Sequence, residues 1–400
     1  MGPVVLHRVF IPLGVPLGSP ASPLGVLGSP LGSLGGSWES LGVPLVSLGR
    51  SLEFLWASLG CHWSLVGLLW AFRPYERASW IAEVYRVPIF IRNLKTLGIT
   101  EIYCLRTRKG FTQDLPTNIQ VEEVYSWSDL IKKKPDIAFI TNPTSLHIET
   151  AKKIIPHIKG LFIEKPLSHN LDGVSNLLKL VEKYKVVTFM GFNIEFHPLI
   201  IEIGKLISNG DIGDVVNYQA TTGQCIEKWH PYEDYHNSYA VRKDLGGGAS
   251  LTLIHEINLA LTWFGEVEDT YAYIRKNKKM NIDVDSNSDF MMQHINGVVS
   301  QIHMDFLQKK SIRSGTINGT DGWIKYDLIN NNLLLESENN NLNKKLDDSI
   351  DYNDQSYLNM LEVFFQYYDK NIMHHEYDIW KGLDSLKIVL SGFEKSNKKV

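Results

Sequence analysis

The chain is poor in cysteine. It has three in 400 residues, Cys61, Cys104 and Cys225, too scattered for a disulfide framework or a structural zinc site. A reduced, cytoplasmic setting follows. The chain also lacks a surplus of basic charge. Forty Lys and Arg against 44 Asp and Glu give a formal net charge of −4, so no basic stripe is present to neutralise phosphates, and nucleic acid is excluded as a partner. The short clusters Lys132-Lys133-Lys134 and Lys276 to Lys279 read as solvated surface. No glycine stands between Gly67 and Gly98, so the tight turn with close backbone approach that glycine permits is not available from 68 to 97.

What remains divides sharply near residue 90. Residues 1–70 are built from Leu, Gly, Ser, Pro, Val and Trp in loose near-repeats such as Pro16-Leu17-Gly18-Ser19-Pro20 and Gly28-Ser29-Pro30-Leu31-Gly32. They carry almost no charge and keep neither a period of 3.6 nor one of 2, which predicts a low-complexity, irregular or disordered extension over 1–90. Phe54 to Phe72 is uncharged apart from His62 and long enough to span a bilayer, but its interior glycines, serines and histidine lower its hydropathy. It reads as an apolar segment, and no membrane partner is expected; a membrane-tethered form would have to use this stretch.

From about Ile91 the chain alternates strands and helices. The apolar runs Asp136 to Thr141, Gly160 to Glu164 and Val186 to Gly191 are strands buried on both faces, separated by helical stretches at His147 to His157 and Leu171 to Tyr184. That alternation predicts a doubly wound parallel sheet over 91–196. After a helix at His197 to Asn209, longer alternating strands predict an α+β domain over 197–400 with a large open antiparallel sheet. Asn330-Asn331-Asn332 and Asn339-Asn340-Asn341 read as surface loops.

Two motifs carry chemistry, one at a strand end and one at a helix start. Glu164-Lys165-Pro166 puts a lysine between a carboxylate and a proline at the end of a buried strand, where an ammonium can be held beside a reacting carbon–oxygen bond. Gly246-Gly247-Gly248 runs into a helix whose start carries His255, an imidazole suited to proton transfer near neutral pH. Trp229, His230, Asp234, Tyr235 and Arg242 form a polar–aromatic cluster that reads either as a platform for a sugar or as a loop. No histidine pair has carboxylate or cysteine partners at ligand spacing, so no metal is expected.

Together with Thr141-Asn142-Pro143 and His147, Gly191-Phe192-Asn193, Phe196-His197-Pro198, and Gly210-Asp211-Ile212-Gly213, these motifs stand in the order of a known family. From about residue 91 to the C-terminus the chain resembles the glucose–fructose oxidoreductase, inositol dehydrogenase and MocA (Gfo/Idh/MocA) oxidoreductases. The resemblance implies a Rossmann-like domain binding NAD or NADP, followed by a domain that holds a sugar, inositol or nucleotide sugar. It implies that Thr141, Asn142, Pro143, His147, Glu164, Lys165, Pro166 and Asn193 line the cofactor. It also implies that Lys165 contacts the reacting hydroxyl and that His255 moves its proton. Arg106, at the end of the second family strand, would tilt the choice slightly toward NADP through the 2′-phosphate. The open sheet implies a homo-oligomer.

Two departures stand against that pattern. Thr252 occupies a position where the family typically has an aspartate to orient the histidine, which leaves Glu256 or Asp234 as the expected orienter; Asn258 also stands where an acid is common. The first strand and glycine loop of the family are absent before Ile91, so the Rossmann-like domain is N-terminally incomplete and the pyrophosphate has no cradle. The reading is therefore an NAD(P)-dependent oxidoreductase impaired by that loss. The alternative is a non-catalytic carbohydrate-binding or regulatory relative.

Overall fold

Short apolar strands separated by amphipathic helices build the first sheet, because a strand covered on both faces can expose no polar side. The structure, a computed structural model, describes residues 9–13, 79–82, 86–106, 121–229, 234–338 and 340–397. In chain order the first layer comprises β1 (Val9–Leu13), β2 (Ser79–Ala82), α1 (Arg86–Thr96), β3 (Ile102–Arg106), β4 (Glu122–Val124), α2 (Trp127–Lys132), β5 (Ile137–Thr141), α3 (His147–Ile154), β6 (Gly160–Glu164), α4 (Val174–Tyr184) and β7 (Val187–Gly191). Every residue of β3, β5, β6 and β7 is buried, as the doubly wound reading requires.

The slot between β3 and β5, expected to lack a strand, is addressed by two segments of the first ninety residues. Both β1 and β2 pair in parallel with β3 and with β5; Ile11 and Trp80 are each in register with Cys104. The expected absence of a strand before Ile91 is corrected accordingly, while the absence of a glycine loop there is not. No glycine stands between β2 and α1, which Glu83, Val84 and Tyr85 separate in the sequence. The apolar stretch Phe54 to Phe72 lies outside the described residues. Among the described residues no helix is long and apolar enough to cross a membrane.

The second layer runs α5 (Pro198–Ser208), β8 (Val215–Gly223), α6 (Ile226–Trp229), α7 (Ala249–Thr252), α8 (His255–Phe264), β9 (Val267–Arg275), β10 (Asn287–His294), β11 (Val299–Asp305), β12 (Ile312–Gly319), β13 (Gly322–Asp327), β14 (Asn332–Ser337), β15 (Asn341–Lys345), α9 (Tyr352–Asp369) and α10 (Ile379–Asn397). Its strands form one sheet in the order β15-β14-β13-β12-β8-β11-β10-β9. The sheet is mixed and not wholly antiparallel as expected. The chain leaves β8 through α6 to α8, enters at the far edge as β9 and meanders back, so β11 arrives beside β8 pointing the same way. The asparagine runs do not make long loops: Asn332 opens β14 and Asn341 opens β15, with Asn331 turning between strands at φ 50°.

The end of the chain closes the first layer. Phe364 of α9 packs edge-on against Phe139, Phe162 and Phe189 from three adjacent strands, at centroid separations of 5.6, 5.8 and 5.6 Å. Aromatic pairs in this geometry add stability beyond their buried area. They hold the carboxyl ends of β5, β6 and β7 in fixed relation, and the candidate site is assembled there.

Candidate active site

Lys165 follows the last residue of β6 and is 4% exposed. An ammonium buried that deeply requires acceptors. Its Nζ donates to the carbonyl oxygen of Thr252 at 2.6 Å, while its own backbone N–H donates to Glu164 Oε2 at 3.2 Å. The Thr252 carbonyl is available because the helix after the three glycines is not continuous. α7 ends at Thr252, two residues turn, and α8 begins at His255. Helix-terminal carbonyls have no partner within their own helix, and a lysine can fill that role. The three glycines thus run into α7, and His255 starts a second helix, α8, not the one expected to follow them directly.

The glycines place α7. A Cβ on Gly247 would lie 2.3 Å from the Tyr239 carbonyl oxygen, and one on Gly248 would lie 2.2 Å from Asp285 Oδ1. Asp285, which the sequence did not single out, receives the backbone N–H of Ser250 at 2.8 Å and its hydroxyl at 2.7 Å. Burial is the leading influence on that carboxyl and pushes its pKa up.

His147 ties two loops together. Its Nε2 lies 2.7 Å from the Asn142 carbonyl oxygen and its Nδ1 lies 2.9 Å from that of Pro166. Burial, ahead of the nearby Lys165 charge, lowers its pKa to about 4, so the ring is neutral at pH 7 and donates to only one of the two carbonyls. Its role is to hold the loops after β5 and β6 at a fixed separation. Pro143 starts the turn that precedes α3, and Asn142 Nδ2 donates to Thr150 Oγ1 at 2.9 Å.

Thr141 Oγ1 and Asn142 Oδ1 are buried without a hydrogen-bond partner among the described residues. Orphaned polar atoms at a strand's carboxyl end suit the amide of a nicotinamide. The residues at that end fit the cofactor. At the pyrophosphate end they do not, because the segment entering α1 carries no glycine. Arg106 is buried and engaged by Glu123, Nη1 to Oε1 at 2.7 Å, so a 2′-phosphate would have to displace a carboxylate already in place.

One cavity of about 280 Å³ collects Lys165, His255, Thr252, Asn193 and Trp229. Asn193 is oriented from the far end of the chain, donating to Asn353 Oδ1 at 3.2 Å. Other expected residues turn elsewhere. Asp234 pairs with His236 at 2.8 Å, Arg242 with Asp244, and the Tyr235 hydroxyl donates to the Met280 carbonyl. None of the three lines the cavity, and His230 lies outside the described residues. Of the described residues of that cluster, Trp229 lines the cavity and Asp234, Tyr235 and Arg242 do not.

Neither expected orienter serves His255. Asp234 is taken by His236, and Glu256 forms an ion pair with Arg313, Oε1 to Nε at 2.8 Å. The His255 ring instead meets Phe192 edge-on at 6.0 Å. Asn258 is fully buried and donates to Glu195, which also receives Lys381 at 2.8 Å, so that position is structural. Sequence reasoning missed Arg313, which lines the cavity from β12. A single arginine in an alternating strand gives no local signal; only the pairing of β12 with β8 brings it there. Among the described residues no group of three or more His, Cys, Asp or Glu could hold a metal ion.

Comparison with known proteins agrees with this architecture. Residues 88–192 match the oxidoreductase family with an NAD-binding Rossmann fold, and residues 200–325 match the GFO/IDH/MocA C-terminal domain. The chain belongs to the Gfo/Idh/MocA oxidoreductase family. It is 27% identical over 189 residues to a myo-inositol 2-dehydrogenase of Thermotoga maritima, covering 46% of this chain and 54% of that protein. It is 32% identical over 131 residues to an inositol 2-dehydrogenase of Rhizobium meliloti, covering 33% and 37%. The chain spans between 33% and 54% of the length of the curated relatives it matches first. A myo-inositol 2-dehydrogenase structure from Lactobacillus plantarum superposes with a TM-score of 0.66 at 17% identity, covering 80% of this chain and 97% of that one. A levoglucosan dehydrogenase complex with NADH and L-sorbose gives 0.63 at 17% identity, covering 75% and 89%. At these identities the structural likeness shows the fold.

Proposed function

We propose that this chain is an NAD(P)-dependent oxidoreductase acting on a hydroxyl or carbonyl of a sugar, inositol or nucleotide sugar. The observation that carries the reading is the shared cavity: Lys165, immobilised on the Thr252 carbonyl, lines the same 280 Å³ as His255. A fixed ammonium beside a substrate hydroxyl stabilises the alkoxide-like charge that grows as the C–H bond breaks. His255 takes the hydroxyl proton, or returns it in the reverse direction. The bound nicotinamide supplies the hydride acceptor or donor. Thr141 and Asn142 hold its amide side, with His147 fixing the loop that presents them. The choice between NAD and NADP turns on Arg106, whose slight bias toward NADP is weakened by the Glu123 carboxylate it already holds.

One observation favours the second reading, a carbohydrate-binding relative without catalysis: no glycine lies from 68 to 97, so the pyrophosphate lacks its usual turn. Titrating the full chain with NADH and NADPH separates the two, followed by inositols and sugars with Lys165→Ala as control. Micromolar cofactor binding with Lys165-dependent turnover supports the enzyme. Sugar binding without cofactor binding by the folded chain supports the binding protein.

A further inference from the structure

The cavity that holds Lys165 carries a second cation the family motifs do not mention. Arg313 enters from β12, directly across from Thr222 on β8, and its side chain is 20% exposed. Its shortest contacts are made by Nε, which lies 2.8 Å from Glu256 Oε1 as an ion pair and donates to Thr222 Oγ1 at 3.3 Å. Among the described residues, its one side-chain hydrogen bond is that from Nε to Thr222. An arginine pinned through Nε keeps its two terminal amines as a preset fork, the geometry that reads a carboxylate or phosphate.

The sign of the cavity agrees. Lys165 and Arg313 line it, and no Asp or Glu does so among the described residues. The nearest carboxylates stand behind the cations. Glu256 is 1% exposed, and Glu164 accepts the Lys165 backbone N–H. The neutral lining groups, Thr222, Gln224, Asn193, Asn353 and Ser311, suit sugar hydroxyls. At about 280 Å³ the space is at the small end of ligand sites, so an anionic group on the substrate could not avoid the fork.

We propose that Arg313 is an anion-binding subsite, and that the substrate is a sugar or cyclitol bearing a carboxylate or phosphate opposite the reacting hydroxyl. This rests on the oxidoreductase reading only in calling the ligand a substrate. Glu256 serves as positioning residue, holding the fork through Nε.

The test is calorimetric titration of the full chain, without cofactor, with D-glucuronate, D-galacturonate, D-gluconate and D-glucose 6-phosphate. Each is compared with its neutral parent sugar, and inorganic phosphate is run alone. The anionic members should bind at least about tenfold tighter than their parents, with the advantage shrinking at high salt. Arg313→Gln with Glu256→Gln removes fork and counter-charge together, avoiding a stranded buried carboxylate, and should bring the ratio of anionic to neutral affinity close to one. Equal affinities across the panel would overturn the proposal. So would a ratio unmoved in the double variant, or inorganic phosphate binding as tightly as the sugar acids. Should the double variant not fold, equal affinities across the panel on the unaltered chain still overturn the proposal. NADH binding is measured on the same material. A lost cofactor with a kept anion preference supports the subsite and counts against the dehydrogenase reading, whereas an intact cofactor site without the preference overturns the subsite alone.

Discussion

The Lys165 ammonium donates to the Thr252 carbonyl oxygen at 2.6 Å, joining the end of β6 to the end of α7. This bond does two jobs with different readouts. It satisfies a buried carbonyl at a helix terminus, and it fixes the cation at the cavity wall. Lys165→Met should therefore cost about 1–3 kcal/mol in urea unfolding, because a buried acceptor loses its donor. It should also lower turnover by about 10²–10³-fold, the scale for removing one preorganised charge stabiliser. Cofactor affinity should stay near that of the parent chain. A variant losing stability but not turnover would reduce Lys165 to a strut.

His147 supplies a pH signature. Its pKa is held at about 4, first by burial, whereas an unfolded histidine titrates near 6.5. Between those values the unfolded chain binds more protons than the folded one. Stability is thus fully present above about pH 6.5 and falls as pH drops toward 4, by about 1.4 kcal/mol per pH unit for such a group. His197, also lowered to about 4 by burial and then by the Arg313 charge, adds to the slope. His147→Gln should flatten the curve of urea midpoint against pH across this window and cost about 1–3 kcal/mol at pH 7. An unchanged slope would mean that His147 is not held neutral in the fold.

The parallel layer was legible because fully buried strands leave continuous apolar runs, and the runs ending at Thr141, Glu164 and Gly191 end there in the structure. The lysine and histidine drew notice because each stands near a breaker, Lys165 just before Pro166 and His255 after the three glycines. Partners set by pairing were not. Arg313 and Glu256 are 57 residues apart, the difference of their numbers, and meet only because α8 packs against β8, the strand beside β12. The break at Leu253 was hidden because residues 249–264 look continuously helical by composition. β13 to β15 were missed because their polar faces and asparagine turns imitate loops.

Gly247 tests whether the glycines serve packing or ligand contact. An alanine Cβ would stand 2.3 Å from the Tyr239 carbonyl oxygen and 2.5 Å from that of Ala240, both backbone atoms that cannot step aside cheaply. Gly247→Ala should lower stability by about 1–3 kcal/mol, the range for overpacking a tight site. It should also slow turnover, since α7 carries the carbonyl that holds Lys165. Thermal melting beside steady-state kinetics checks both. Full stability with weakened cofactor binding would assign the glycine to the ligand instead.

The junction near residue 90 gives the last prediction. β1 and β2 both address the slot between β3 and β5, and Ile11 and Trp80 share register with the same residue, Cys104. Two segments cannot both take that one position's hydrogen bonds, and neither is followed by a glycine turn at α1. Replacing residues 1–90 with one apolar strand and a Gly-x-Gly-x-x-Gly turn leading into Arg92 should remove that competition. It should also aim backbone N–H groups at a pyrophosphate. NADH affinity, followed by tryptophan quenching, should rise at least about tenfold, and the soluble fraction should increase. If affinity stays flat while the chain remains folded, the missing loop is not what limits the cofactor, and the non-catalytic reading gains ground.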